Sequence, residues 1–313
     1  MLENQKVIVI IGPTGVGKTK LSLEAAHKLN GEIISGDSMQ IYRGMDIGTA
    51  KIRQDEMEGI PHHLIDIKNP DESFSAADFQ QLARSCIEDI ASRGKMPIVA
   101  GGTGLYIQSL LYDYQFSEQP SDPEFRLRME NMAEEKGAEY IHSLLMEADP
   151  ESAERIHPNN QRRVIRALEI FHASGKTMTD QLESEYRSEH YQSAIIGLTM
   201  DRETLYYRIN QRVEKMLEEG LLDEVTRLYQ TGLKTGQAVQ AIGYKEIYRH
   251  LDGEISLEEA VEQLKQNSRR YAKRQLTWFR NRMDVKWYDM TPPAQSEQKL
   301  DEIFTYIAGK LHL

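Results

Sequence analysis

Cysteine is almost missing from this chain. Cys86, alone among 313 residues, excludes disulfides and any multi-cysteine zinc site. It falls in a helical pattern and reads as a buried, unreactive thiol. No apolar run approaches 18 residues, which excludes a transmembrane helix. The first strand begins almost at once after Met1, so no signal peptide is expected, and a cytoplasmic protein with no membrane partner is. Positive charge is in deficit, with 38 Lys and Arg against 49 Asp and Glu and a net charge of −11. That total argues against nucleic acid as a partner unless the cations are gathered locally. Internal repeats and low-complexity tracts are absent, and the histidines lack metal-ligand spacing. The [NT]KxD base-recognition motif of GTPases and the glycine-rich set of protein kinases are also missing.

What is present is a phosphate loop. Gly12, Pro13, Thr14, Gly15, Val16, Gly17, Lys18 and Thr19 follow the apolar run Val7 to Ile11 and precede a helical pattern ending at Leu29. This is G-x-x-x-x-G-K-[ST] in its strand–loop–helix context. Glycines let backbone N–H groups converge on an anion, and the helix N-terminus adds dipole and donors. Lys18 supplies a point charge, and the Thr19 hydroxyl is placed to ligate Mg²⁺. Any diphosphate-bearing molecule would fit.

Strands at Glu32–Ser35, Met96–Ala100, Ala194–Met200 and Val285–Tyr288 alternate with helices. The fold expected is α/β, a P-loop NTPase-like parallel sheet with helices on both faces. Between about 116 and 189 strands disappear and helical patterns succeed one another to about Glu185, an all-α insertion domain. The core domain then comprises 1–115 and 190–313. Asp37 follows the second strand, at the sheet edge where ligands sit in open α/β folds. It either closes a turn or acts as a general base or, through water, as a Mg²⁺-associated carboxylate. Asp66 ends too short a strand to read as a metal ligand. Thr103, in a second glycine loop Gly101–Gly104, faces the same cleft or opens a helix. Ser75, Asp201 and Ser256 read as helix caps, the last opening a helix to about Arg282 with a stripe of Leu257, Ala260 or Val261, Leu264, Tyr271, Leu276 and Phe279. Within it and just beyond, Lys265, Arg269, Arg270, Lys273, Arg274, Arg280, Arg282 and Lys286 face Asp284 alone. With Tyr271, Trp278 and Phe279 interleaved, the segment reads as a footprint for a nucleic-acid backbone.

Taken together, GPTGVGKT at 12–19, SGDSMQIYRGMDIGTAK at 35–51, PHHLIDI at 61–67, SAADF at 75–79, GGTGLY at 101–106, RIHPNNQRRVIRALE at 155–169, QAIGYKE at 240–246 and YAKRQLTWFRN at 271–281 resemble the bacterial tRNA dimethylallyltransferases, in the family's order along nearly the whole chain. The zinc finger of some eukaryotic relatives is missing, as one cysteine requires. The resemblance implies transfer of a dimethylallyl group from its diphosphate to the exocyclic amine of the adenine on the 3′ side of the anticodon. It implies Asp37 as general base, and the phosphate loop, Lys18, Thr19, Mg²⁺ and Arg212 as holders of the leaving diphosphate. It also implies tRNA contacts at Asp37, Ser38, Met39, Gln40, Thr103, Arg126, Gln161, Arg162, Arg163, Val164 and Ile165, with Arg270 and Arg274 on backbone phosphate. The partners implied are the tRNA anticodon stem-loop and dimethylallyl diphosphate, and a monomer is expected. The alternatives are a prenyltransferase acting on free adenine nucleotides and an ATP-binding small-molecule kinase on the same loop.

Overall fold

A computed structural model describes residues 5–112, 114, 122–175, 177–178, 190–292 and 297–313. The backbone divides into two compact units, Met1–Leu111 with Glu189–Leu313, and Tyr112–Ser188. The junctions expected from the sequence at 115/116 and 189/190 touch undescribed residues, as does the helical pattern expected from 179 to 185.

The first unit is built on a six-stranded, wholly parallel sheet. Its strands are β1 (Lys6–Ile11), β2 (Gly31–Ser35), β3 (His62–His63), β4 (Met96–Gly101), β5 (Gln192–Thr199) and β6 (Lys286–Asp289), in the order β3-β2-β4-β1-β5-β6. Every residue of β1 after Lys6 is buried, as expected of a central strand covered on both faces. The short strand expected to end at Asp66 is the two-residue β3, which stops at His63 because Leu64 and Asp66 take positive φ. Connections from β1 lead toward β2 and those from β4 lead toward β5. The carboxyl ends of β1 and β4 therefore flank the topological switch point, where a crevice forms.

Helix α1 (Lys18–Leu29) buries Leu21, Ala25 and Ala26 against the sheet. Helix α2 (Ala76–Ser92) starts at the Ser75–Asp78 capping box and α3 (Gly104–Leu111) follows β4. Beyond β5 come α8 (Arg202–Glu218), capped by Asp201, α9 (Leu221–Gln230), α10 (Tyr244–Leu251), α11 (Leu257–Arg282) and α12 (Glu297–Leu311). Helix α12 has no motif to mark it, yet Ile303, Ile307 and Leu311 complete the core on one face of the sheet. Cys86, on α2, is half-buried and its thiol is pushed up by burial and Asp89.

The second unit contains α4 (Pro123–Lys136), α5 (Ala138–Ala148), α6 (Pro150–Arg155) and α7 (Gln161–Ser174). Its core gathers Phe125, Ile141, Leu145, Val164, Ile165 and Leu168. At its centre the buried Glu169 carboxylate accepts from Arg126 Nε at 2.9 Å and Nη2 at 2.9 Å, Arg166 Nη1 at 2.5 Å and the Asp122 N–H at 2.7 Å. A buried carboxylate needs this many donors to hold its charge. No helix among the described residues is long and apolar enough to cross a membrane.

Candidate functional site

The loop after β1 bends back on itself, and Gly12 carries the bend. Its φ is +153°, and a β-carbon there would lie 2.6 Å from the Leu198 carbonyl oxygen, so only glycine fits. Lys18 opens α1 and donates from Nζ to the carbonyls of Gly12 at 3.0 Å and Pro13 at 2.9 Å. Its side chain borders an open cleft and is half-buried. Burial lowers its pKa to about 8, opposed by the Asp37 carboxylate and aided by Arg212.

Asp37 lies two residues past β2. Its Oδ1 accepts the Met39 N–H at 2.9 Å, so the turn-closing role exists. The two roles are compatible, because a carboxylate has a second oxygen and that residue lines the cleft. Thr103 fixes this turn from the β4 side. Its Oγ1 accepts the Ser38 N–H at 3.1 Å, and its own N–H donates to Gly36 O at 3.2 Å.

Arg212 projects from α8, with Nη1 3.4 Å from Thr14 Oγ1. Burial lowers its pKa while Asp37 raises it. Asp37 thus shares the cleft with two cations, Lys18 and Arg212, on the carboxyl edge of the sheet. Tyr271 of α11 joins them beside Thr103 and Gln275. Its hydroxyl is pushed up to about 12, by burial first and by Asp37 second, and remains a donor.

Gln275 was not singled out in the sequence. Its Oε1 accepts the Thr14 N–H and its Nε2 donates to Gly102 O, both at 2.9 Å, clamping the phosphate loop to the second glycine loop. The available signal was a glutamine at i+4 from Tyr271 and i−4 from Phe279, a polar residue on the helix's inward face. The buried face of α11 is accordingly Ala260, Leu264, Ala272, Gln275 and Phe279, with Leu276 displaced to its margin.

These groups border a cleft with two lobes. One, of 380 Å³, is lined by Gly15, Lys18, Thr19, Asp37, Arg212 and Gln275 among others. The other, of 320 Å³, adds the apolar side chains of Ile209, Val213, Met216 and Leu264. Asp37, Thr14, Thr49, Arg212 and Tyr271 belong to both. The cleft can therefore hold an anion in one lobe and an apolar or aromatic group in the other, with one carboxylate between. Among the described residues no group of three or more His, Cys, Asp or Glu could hold a metal. Asp66 is engaged in structure, pairing with the buried Lys51 at 2.6 Å.

The remaining candidates divide. Gln40 lines the cleft, but its side chain is engaged with Ser35 Oγ at 2.9 Å and the Thr49 carbonyl at 3.4 Å. Gln161, Arg162 and Arg163 stand exposed at the start of α7, whereas Val164 and Ile165 are 1% and 4% exposed. The side chains of these two pack the helical core and are not offered to an RNA, a consequence of helical periodicity inside one motif. Arg126 is held by Glu169. On α11, Lys265 is neutralised by Glu214 and Glu262, and Arg269 is half-buried and tied to Asn210 at 2.6 Å. Phe279 is fully buried and Tyr271 faces the cleft, leaving Arg270, Lys273, Arg274, Arg280 and Arg282 exposed. The footprint is narrower than the run of charges suggested.

The family model described as IPP transferase matches residues 40–282. The chain belongs to the IPP transferase family. It is 66% identical over 307 residues to the tRNA dimethylallyltransferase of Bacillus licheniformis, covering 98% of each chain. A solved full-length tRNA isopentenylpyrophosphate transferase from Bacillus halodurans is 52% identical with a TM-score of 0.76, covering 99% of this chain and 97% of that one. A eukaryotic dimethylallyltransferase solved acting on tRNA is 34% identical with a TM-score of 0.82, covering 96% of this chain and 77% of its own. In this IPP transferase the α/β sheet with the phosphate loop at its centre is the family's fold.

Proposed function

We propose that the chain is a tRNA dimethylallyltransferase. It transfers the dimethylallyl group of dimethylallyl diphosphate to the exocyclic amine of the adenine 3′-adjacent to the anticodon, releasing diphosphate. The observation that carries this reading is Asp37 lining, with Arg212, both the polar lobe that holds Lys18 and the apolar lobe beside it.

In this scheme the amine nitrogen attacks the allylic carbon and the carbon–oxygen bond to diphosphate breaks. The amine loses a proton to Asp37, which its aromatic ring makes a weak nucleophile in want of a base. Lys18, Arg212 and the backbone N–H groups of Gly15 to Thr19 absorb the charge that develops on the leaving oxygen. Thr103, Tyr271 and Gln275 hold this set in place. Mg²⁺ fits the site: Thr19 offers a hydroxyl and Asp37 a carboxylate reachable through water, a sparse donor set of the kind Mg²⁺ completes with water and diphosphate oxygens. When bound, it would neutralise diphosphate charge.

The adenine must leave its stack to reach a carboxylate inside the cleft. Gln161, Arg162 and Arg163 on the helical unit, and Arg270 and Arg274 on α11, are the exposed groups proposed to grip the anticodon stem-loop. The enzyme is proposed to act as a monomer in the cytoplasm.

The test is to incubate the protein with labelled dimethylallyl diphosphate and either unmodified tRNA or AMP. Label on tRNA is expected. Label on AMP but not on tRNA would point to the free-nucleotide enzyme, and ATP consumption without label transfer to the kinase.

A further inference from the structure

Behind the wall of the cleft lies a carboxylate that the scheme above leaves unused. Glu224, in the first turns of α9, is 4% exposed. Its Oε2 accepts the backbone N–H groups of Asp46 at 2.9 Å and Ile47 at 2.8 Å. Its Oε1 accepts the N–H of Gly48 at 3.0 Å and the hydroxyl of Tyr244 at 2.6 Å. Four donors occupy the four lone-pair directions of one carboxylate.

The grip has a specific object. Asp46–Gly48 leads directly into Thr49, which lines both lobes, and Ala50, which lines the anion lobe. Ala50 is held at φ +46°, a left-handed conformation that an alanine does not adopt unaided. Lys51 closes the far end of the loop, bonding Asp46 and Asp66 at 2.6 Å each and the Tyr42 carbonyl at 2.7 Å. The Tyr244 ring is seated on the loop backbone, since a β-carbon at Gly48 would lie 2.5 Å from it. The Thr49 and Ala50 carbonyls in turn receive Gln40 Nε2, three residues from Asp37. The strained loop is thus fixed from behind by Glu224 and touches the base-bearing turn in front.

We infer that Glu224, oriented by Tyr244, is a positioning residue of the transfer reaction, gripping the 46–48 backbone so that the Thr49 wall stands at its working distance from Asp37. This inference rests on the transferase reading. Glu224 touches no substrate. It acts through the loop, so its loss changes the rate of the reaction more than the grip on tRNA, which the exposed cations provide.

The experiment uses the intact protein with labelled dimethylallyl diphosphate and unmodified tRNA, comparing wild type, Glu224→Gln and Tyr244→Phe. An amide at 224 offers one oxygen and brings two donors of its own against four, so the loop is released. Misplacement on the ångström scale lowers kcat by about 10- to 100-fold, and kcat of Glu224→Gln is expected to fall in that range. Its Kd for tRNA, measured separately by filter binding, is expected to stay within about twofold, as for sites without shared contacts. Tyr244→Phe removes one neutral donor and is expected to lower kcat about three- to tenfold, the scale of one hydrogen bond. A kcat per folded molecule equal to wild type in both variants overturns the inference. So does a loss that disappears once corrected for the folded fraction by circular dichroism. If Glu224→Gln does not fold, Tyr244→Phe decides alone by the same criterion. Wild-type transfer separates the two levels: variants matching an active wild type sink this inference alone, while an inactive wild type sinks the functional reading and this with it.

Discussion

At the scale of single residues, Asp37 and Lys18 divide the proposed chemistry into a base and a cation for the leaving group. Asp37→Asn keeps an oxygen to accept the Met39 N–H, so the turn persists while the base is lost. Transfer is expected to fall by about 10²–10⁴-fold, with tRNA retention on filters unchanged. A variant that loses tRNA binding in proportion would make Asp37 a structural residue. Lys18 offers a pH test. Its pKa is lowered to about 8, so the ammonium is present below that pH and is lost as pH rises through it. kcat/KM for dimethylallyl diphosphate, which reports the free enzyme, is expected to decline above pH about 8. In Lys18→Arg, whose guanidinium stays protonated, whatever activity remains is expected to lack that decline. The same alkaline limb in both proteins would assign it to another group.

Among the elements, α11 carries the most divided load. Its inward face clamps the phosphate loop through Gln275 and its outward face presents Arg270, Lys273 and Arg274. Reversing Arg270 and Arg274 to Glu is expected to weaken tRNA binding and to make its salt dependence shallower by about one unit of log–log slope per lost phosphate contact. Chemistry on bound tRNA should persist. Normal binding of the reversed variant at low salt would remove α11 from the interface. This helix also shows which features could be read from sequence. The Ser256–Glu259 capping box and the end at Arg282 were visible because caps and amphipathic spacing are local. That Lys265 and Arg269 are spent on Glu214 and Asn210 was not, because those partners lie more than fifty residues away. The same holds for Glu224, whose partners at 46–48 no local pattern announces. Phosphate loop, Asp37 and Thr103 were legible for the opposite reason, each being tied to a strand end. Val164 and Ile165 turn inward because a motif names consecutive residues, whereas the 3.6-residue period of a helix sends 164, 165 and 168 to the core and leaves 161–163 outside.

At the scale of the molecule, the helical unit is an insertion between α3 and β5. The His190 N–H donates to the Leu111 carbonyl at 2.9 Å, so the chain leaves and re-enters the sheet unit at adjacent points. Replacing 112–188 by a short glycine–serine linker is therefore expected to leave a cooperatively melting sheet unit that still binds pyrophosphate. Transfer to tRNA is expected to drop by roughly a hundredfold in kcat/KM, equivalent to about 3 kcal/mol of lost contacts. Undiminished transfer would place the tRNA grip elsewhere.

The central claim is that the phosphate loop serves a departing diphosphate and consumes no nucleoside triphosphate. Its most direct test follows labelled dimethylallyl diphosphate and unmodified tRNA without any nucleotide added, counting pyrophosphate released against label fixed on tRNA. One pyrophosphate per transferred label is predicted. Transfer that requires ATP, or that releases orthophosphate in step with the label, would contradict it.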